Sequence, residues 1–179
     1  MRFLDAIEGP QERELLVAFF DLTRFHHYCQ NHSDLEITEM LDGYYELVGD
    51  IVEVAGGSVV KFIGDAGLLA FPDTDVNEGV VALKALKDTG DRWLKSHGVP
   101  CEAIIKAHFG SVQCARLGTR SDKRLDLMGL TVNTASLLSS RGIALTPQVF
   151  RKLDPATRKL FKKHTPPVTY IPVPERHSG

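Results

Sequence analysis

Two apolar runs that each end in an aspartate constrain this chain more than any other feature. Leu15-Leu16-Val17-Ala18-Phe19-Phe20 ends on Asp21, and Val59-Val60-Lys61-Phe62-Ile63 reaches Gly64-Asp65 before Leu68-Leu69-Ala70-Phe71 leaves again. The first run has no polar interruption and reads as a central strand covered on both faces. The second, folded back at Gly-Asp, reads as a hairpin over 58–71. A carboxylate where a buried strand meets a loop is costly to bury alone and well placed to hold a hard divalent cation through oxygen. Two of them on neighbouring strands point to metal-assisted phosphoryl transfer. Each also has a purely structural reading, because Gly-Asp is a favoured hairpin turn and an Asp after a strand is a common helix N-cap.

The remaining periodicities complete a fold around these strands. Ile37, Met40, Leu41, Tyr44, Val48, Ile51, Val52 and Ala55 follow helical spacing up to a Gly56-Gly57 stop. A second helix is expected over 77–96, ended by Gly98. Beyond it come a strand over 101–109 continued by 110–117 after a bend, a loop over 118–123 and a short strand over 125–128. A helix over 131–140, a strand over 143–145, small helices within 147–161 and a last strand over 168–173 follow. No internal repeat or linker divides the chain. The order implies an α+β fold with a ferredoxin-like βαββαβ core, a mostly antiparallel sheet with helices packed on one side of it. Residues 1–13 read as a polar leader, 14–174 as one domain and 175–179 as a frayed tail.

Composition narrows the function classes. The 179 residues carry a formal charge of -2, so no global basic field points to nucleic acid or to an anionic membrane. Basic residues cluster in 116–124 and 151–163, where a solvated surface is the ordinary reading. Cys29, Cys101 and Cys114 are too widely spaced for a zinc pattern or a disulfide framework, which fits a reducing, cytoplasmic setting. No apolar run approaches the ~18 residues of a membrane span, and the acidic start (Asp5, Glu8, Glu12) does not read as a signal peptide.

Four segments in one order then carry a resemblance. They are Phe20-Asp21-Leu22-Thr23-Arg24-Phe25, the stretch from Gly56 to Asp65, His108-Phe109-Gly110, and Asp126 to Ser136 running into a helix. Together they resemble the catalytic domain of the class III nucleotidyl cyclases, the adenylate and guanylate cyclases, over roughly 15–173. The resemblance implies attack of the ribose 3′ oxygen on the α-phosphate with pyrophosphate leaving. It implies two Mg²⁺ or Mn²⁺ ions on Asp21 and Asp65. It makes Lys61 and Asp126 the base-reading pair, a polarity that suits adenine and hence ATP over GTP. It also places Asn133 at the ribose, and Arg24 and Phe25 where a helix start faces the phosphates. In the family these groups are split between protomers, so a homodimer with interfacial sites is implied.

The departures from the family pattern are equally specific. The transition-state arginine expected one helical turn after Asn133 is Leu137, and Arg141, a further turn on, is the candidate replacement on the same helical face. The phosphate-binding arginine expected on the strand before His108 is Ile104, with Lys106 the nearest cation and expected to point elsewhere. Arg24 occupies a position where glycine is usual. Three readings stay open on sequence alone: an ATP cyclase, a cyclase-fold binding or regulatory module, and a different sheet-and-helix phosphotransferase. The third is weakened because Ile63-Gly64-Asp65-Ala66-Gly67 is not the acidic turn of a diguanylate cyclase.

Overall fold

A computed structural model describes residues 3–176. In chain order the elements are β1 (Gln11–Leu22), α1 (Phe25–Cys29), α2 (Asp34–Val54), β2 (Ser58–Ile63), β3 (Ala66–Pro72), α3 (Val76–Ser96) and β4 (Ala103–Gly118). There follow β5 (Lys123–Met128), α4 (Leu130–Leu137), β6 (Ile143–Leu145), α5 (Pro147–Lys152), α6 (Pro155–Arg158), β7 (Phe161–His164) and β8 (Thr169–Pro172). The strands form one sheet in the order β2-β3-β1-β4-β6-β8-β7, with β5 also paired to β4. The first four strands and the two long helices are the expected βαββαβ core. The sheet is antiparallel except where β4 meets β6.

Local chemistry accounts for the helices that cover the sheet. Ser33 and Glu36 form a capping box that starts α2. Met40, Tyr44, Val48 and Val52, four residues apart, then put one buried stripe on the sheet. On α3, Val80, Leu83, Leu86 and Leu94 do the same. Asp91 ties α3 to the sheet, accepting from the Ala103 N–H at 2.8 Å and pairing with Lys87 at 2.6 Å. Alternation along β1 sends Leu16, Ala18, Phe20 and Leu22 into this core and Leu15, Val17 and Phe19 to the opposite face.

That opposite face is covered too. The polar leader supplies Leu4 and Ile7 to a second core with Leu15, Val17, Leu68, Val112, Leu127 and Ala135, and Gln11 to Arg13 already belong to β1. Helices therefore flank both faces, α2 and α3 on one and α4 on the other. Of the expected frayed tail, residues 177–179 lie outside the described residues, whereas Glu175 accepts from the Ile143 N–H at 3.0 Å.

Other elements differ from the sequence expectation as well. β4 runs unbroken through Gly110, because β1 pairs with it from Ala103 to Cys114 without a shift. The short α1 and β7 have too few residues to leave a periodic signal. Most consequentially, α4 stops at Leu137, since Leu138 turns to φ -59°, ψ 137°. The Ser140 hydroxyl donates to the Gly142 carbonyl at 2.8 Å, a local bond that competes with helix, and Gly142 must already face Ile105, whose N–H it accepts at 2.7 Å. Arg141 is therefore off the helix and does not share a face with Asn133.

Gly110 shows how tightly the second face is packed. A Cβ there would stand 2.7 Å from Thr131 Oγ1, which itself donates to the Ser111 carbonyl at 2.7 Å. Gly110→Ala is expected to destabilise the protein by about 1–3 kcal/mol in urea unfolding. Adding Thr131→Ala should recover part of that loss, so the two changes will be non-additive.

Candidate functional site

Asp21 sits at the exit of the central strand, and Asp65 in the turn between β2 and β3, next to Ala66. Because β1 and β3 pair as far as Phe20 opposite Gly67, the two carboxyl groups come into hydrogen-bonding contact. Burial and the Asp21 carboxylate push the Asp65 carboxyl up to about 6, although the Leu22 N–H turned toward it acts the other way. The turn itself is held by Tyr45, whose hydroxyl donates to the Gly64 carbonyl and whose ring stacks on Phe62 at 3.8 Å. Gly64 has φ +58°, open to glycine at little cost. Among the described residues no third His, Cys, Asp or Glu joins them. A site of two carboxylates fits Mg²⁺ or Mn²⁺ chemistry, in which water and substrate phosphates complete the shell.

The segment after Asp21 is fixed by a reciprocal pair: the Thr23 N–H donates to the Glu102 carbonyl, and the Glu102 N–H to Thr23 Oγ1, both at 2.9 Å. Arg24 then adopts φ 57°, ψ 18°. This left-handed conformation explains why glycine is usual there, and it costs an ordinary residue about 1 kcal/mol. The Arg24 charge acts on Cys101, and its side chain is exposed. The Phe25 ring packs on the main core and stacks with Tyr28, so only its backbone can serve a phosphate.

The second pair of candidates also converges. Lys61 Nζ lies 2.5 Å from Asp126 Oδ2, and Asp126 Oδ1 accepts from the Leu127 N–H at 2.8 Å. Lys61 pairs with Leu68 across a bulge in β2, so it faces the second core, where the coiled sheet brings β2 against β5. Both side chains stay partly open to solvent, at 40% and 23%.

On α4 the outward stripe is Leu130, Asn133 and Leu137, with Thr131 and Ala135 buried behind it. Leu130 is 81% and Leu137 83% exposed. Arg141, also exposed, lies in the loop beyond. Ile104 pairs with Asp21 across β1 and β4 and lines a cleft of about 150 Å³ with Phe19, Asp21, Ala66, Lys106 and Ser136. Lys106 was expected to point away; instead it is two residues from Ile104 on one strand, and the period of two puts both on the same face. A larger apolar groove, about 700 Å³, runs between α2 and α3 along Ile51, Val54, Val81 and Ala85, but it contains none of these groups.

This geometry agrees with what the chain is similar to. The model of the adenylate and guanylate cyclase catalytic domain matches residues 8–165. The chain belongs to that family. It is 27% identical over 177 residues to adenylate cyclase 2 of Rhizobium meliloti (strain 1021), covering 93% of this chain and 47% of that protein. It is 29% identical over 147 residues to human guanylyl cyclase C, covering 78% of this chain and 14% of the relative. The cyclase domain thus spans less than half the length of these relatives. Among solved structures, the catalytic core of a rhodopsin-guanylyl cyclase with converted specificity, in complex with ATPalphaS, superposes with a TM-score of 0.75 at 22% identity. That match covers 88% of this chain and 89% of the other. Among the described residues of the cyclase domain, no helix is long and apolar enough to cross a membrane.

The Asp65 carboxyl gives a pH prediction. Its folded value, about 6, lies above its ordinary 3.8, so between these values the folded state holds more protons than the unfolded one. Its contribution to stability is fully present below about pH 4 and is lost as pH rises through about 6. In EDTA, Asp65→Asn should raise the thermal midpoint relative to the parent at pH 8 and by much less at pH 4. Mn²⁺ affinity of the parent should fall as pH drops below about 6.

Proposed function

We propose that this cyclase domain converts ATP to cyclic AMP and pyrophosphate, as a cytoplasmic homodimer. The observation that carries the reading is the meeting of Asp21 and Asp65 at the mouth of the central strands. Those carboxylates would hold two Mg²⁺ or Mn²⁺ ions, which when bound supply neutralising charge for the triphosphate and a more acidic 3′-hydroxyl. Lys61 donates to adenine N1 and Asp126 accepts from the exocyclic amine, whereas guanine presents the reverse polarity. Asn133 orients the ribose. The three unpaired cysteines accord with a reducing compartment.

The dimer reading is supported by the apolar α4 stripe, where Leu130 and Leu137 are four-fifths exposed and Met128, just before it, is 51% exposed. A two-fold axis that covered this stripe would give two equivalent sites. Sedimentation of the protein with ATP and Mn²⁺ should show a dimer; a monomer at high concentration contradicts it.

Mass spectrometry after incubation with Mn²⁺ and either nucleotide is expected to find cyclic AMP from ATP. Asp21→Ala and Asp65→Ala should each abolish both product and Mn²⁺-dependent nucleotide binding. Variants that bind as the parent does would reduce these aspartates to turn and cap residues.

Leu137 and Ile104 favour a second reading, a binding or regulatory module with little turnover. A substitution at Leu137, on the open face of α4, is the experiment that separates the two. Leu137→Arg meets no steric barrier there and is expected to raise cyclase activity by up to ~10²-fold, the size of comparable transition-state contacts. A folded, ATP-binding Leu137→Arg protein without activity would favour the module.

A further inference from the structure

We infer that Lys106 is the residue that holds the triphosphate of the bound nucleotide, a task the sequence pattern would have placed at Ile104. The inference rests on the reading of this domain as an ATP-binding cyclase. Asp21 pairs with Ile104 and Phe19 with Lys106, so all four side chains share one face of the sheet. Among the described residues that line this cleft the one cation is Lys106, and the cleft reaches Ala66, the neighbour of Asp65. Phosphates drawn to Asp21 and Asp65 through divalent ions would therefore lie against the Lys106 ammonium.

The other cations are placed less well. Arg24 is exposed and acts on Cys101, which belongs to the main core on the far face. Arg141 lies beyond the end of α4. Lys106 is half-buried, and its Nζ reaches the Ser136 carbonyl at 3.2 Å. That acceptor is neutral and the contact long, and an ammonium carries three donors. A phosphate oxygen is a stronger acceptor, so Lys106 can turn to it while remaining beside α4. The ammonium thus acts as a point charge on the leaving pyrophosphate, where the family's arginine would make a fork.

The test is titration calorimetry of ATP and of inorganic tripolyphosphate with Mn²⁺, and ligand-observed NMR of adenosine, on the parent and on Lys106→Gln. Gln keeps a donor for Ser136 and removes the charge. Expected is a loss of about ten- to a hundredfold in affinity for ATP and tripolyphosphate, the size of a lost charge-assisted hydrogen bond. Adenosine affinity should not change, and Lys106→Arg should restore most of the loss. Lys106→Met serves if the Gln variant does not fold. Unchanged ATP affinity in Lys106→Gln, with a parent that binds, overturns the inference and leaves the cyclase reading standing. An equal loss for adenosine also overturns it, making Lys106 a support for α4. A parent that binds no ATP removes the cyclase reading and this inference together.

Discussion

The pairing of β1 with neighbours on both sides is the constraint on which the rest of the molecule depends. Every residue from Gln11 to Leu22 has a partner on β4, and Leu15 to Phe20 have a second on β3. A strand paired on both edges and buried on both faces has no freedom to slip, because one step would turn each side chain to the wrong core. Its last residues inherit that certainty. Asp21 is held opposite Ile104 and beside the turn that carries Asp65. Two carboxylates that repel one another are thereby kept together by packing that neither of them provides.

What could be read from sequence follows from this. The run before Asp21, the hairpin at Gly64-Asp65 and the stripes of α2 and α3 are patterns of burial, and burial leaves periodic traces. The βαββαβ order was legible for the same reason, as were Lys61 and Asp126, once their segments stood in the family's order. Leu4 and Ile7 were hidden because two apolar residues among polar ones make no pattern, although they pack the second core. The end of α4 was hidden because its cause is remote: Gly142 has to meet Ile105, and a Ser140 side-chain bond assists the break. Lys106 shares the face of Ile104 by the strand period alone. What the sequence hides is the register with Phe19 and Asp21, which shows that this face is the one that carries the Asp21 cleft.

The candidate site thus departs from its family unevenly. The groups proposed to meet metal and base lie in pairs, while Leu137 and Ile104 stand where the resemblance implies arginines. Leu137 sits on the outward face of α4, where an exposed apolar side chain gains nothing in the isolated chain. Ile104 forms part of the wall of the Asp21 cleft and brings no charge to it. In the proposed phosphate site these two residues leave out charge in different ways, one at a surface open to a partner and the other inside the cleft.

The contact between Lys61 and Asp126 has a consequence for selectivity. In their proposed role as base readers, each ion already has its counter-charge, so an arriving purine would compete with an existing bond and gain no unpaired group. A base whose edge offers an acceptor to the ammonium and a donor to the carboxylate replaces what it disrupts. A base of the reverse polarity would separate the two ions and satisfy neither, leaving partly desolvated charges without partners. On the proposed reading, discrimination would come from the penalty on the wrong base, set by how closely the two side chains hold each other beforehand.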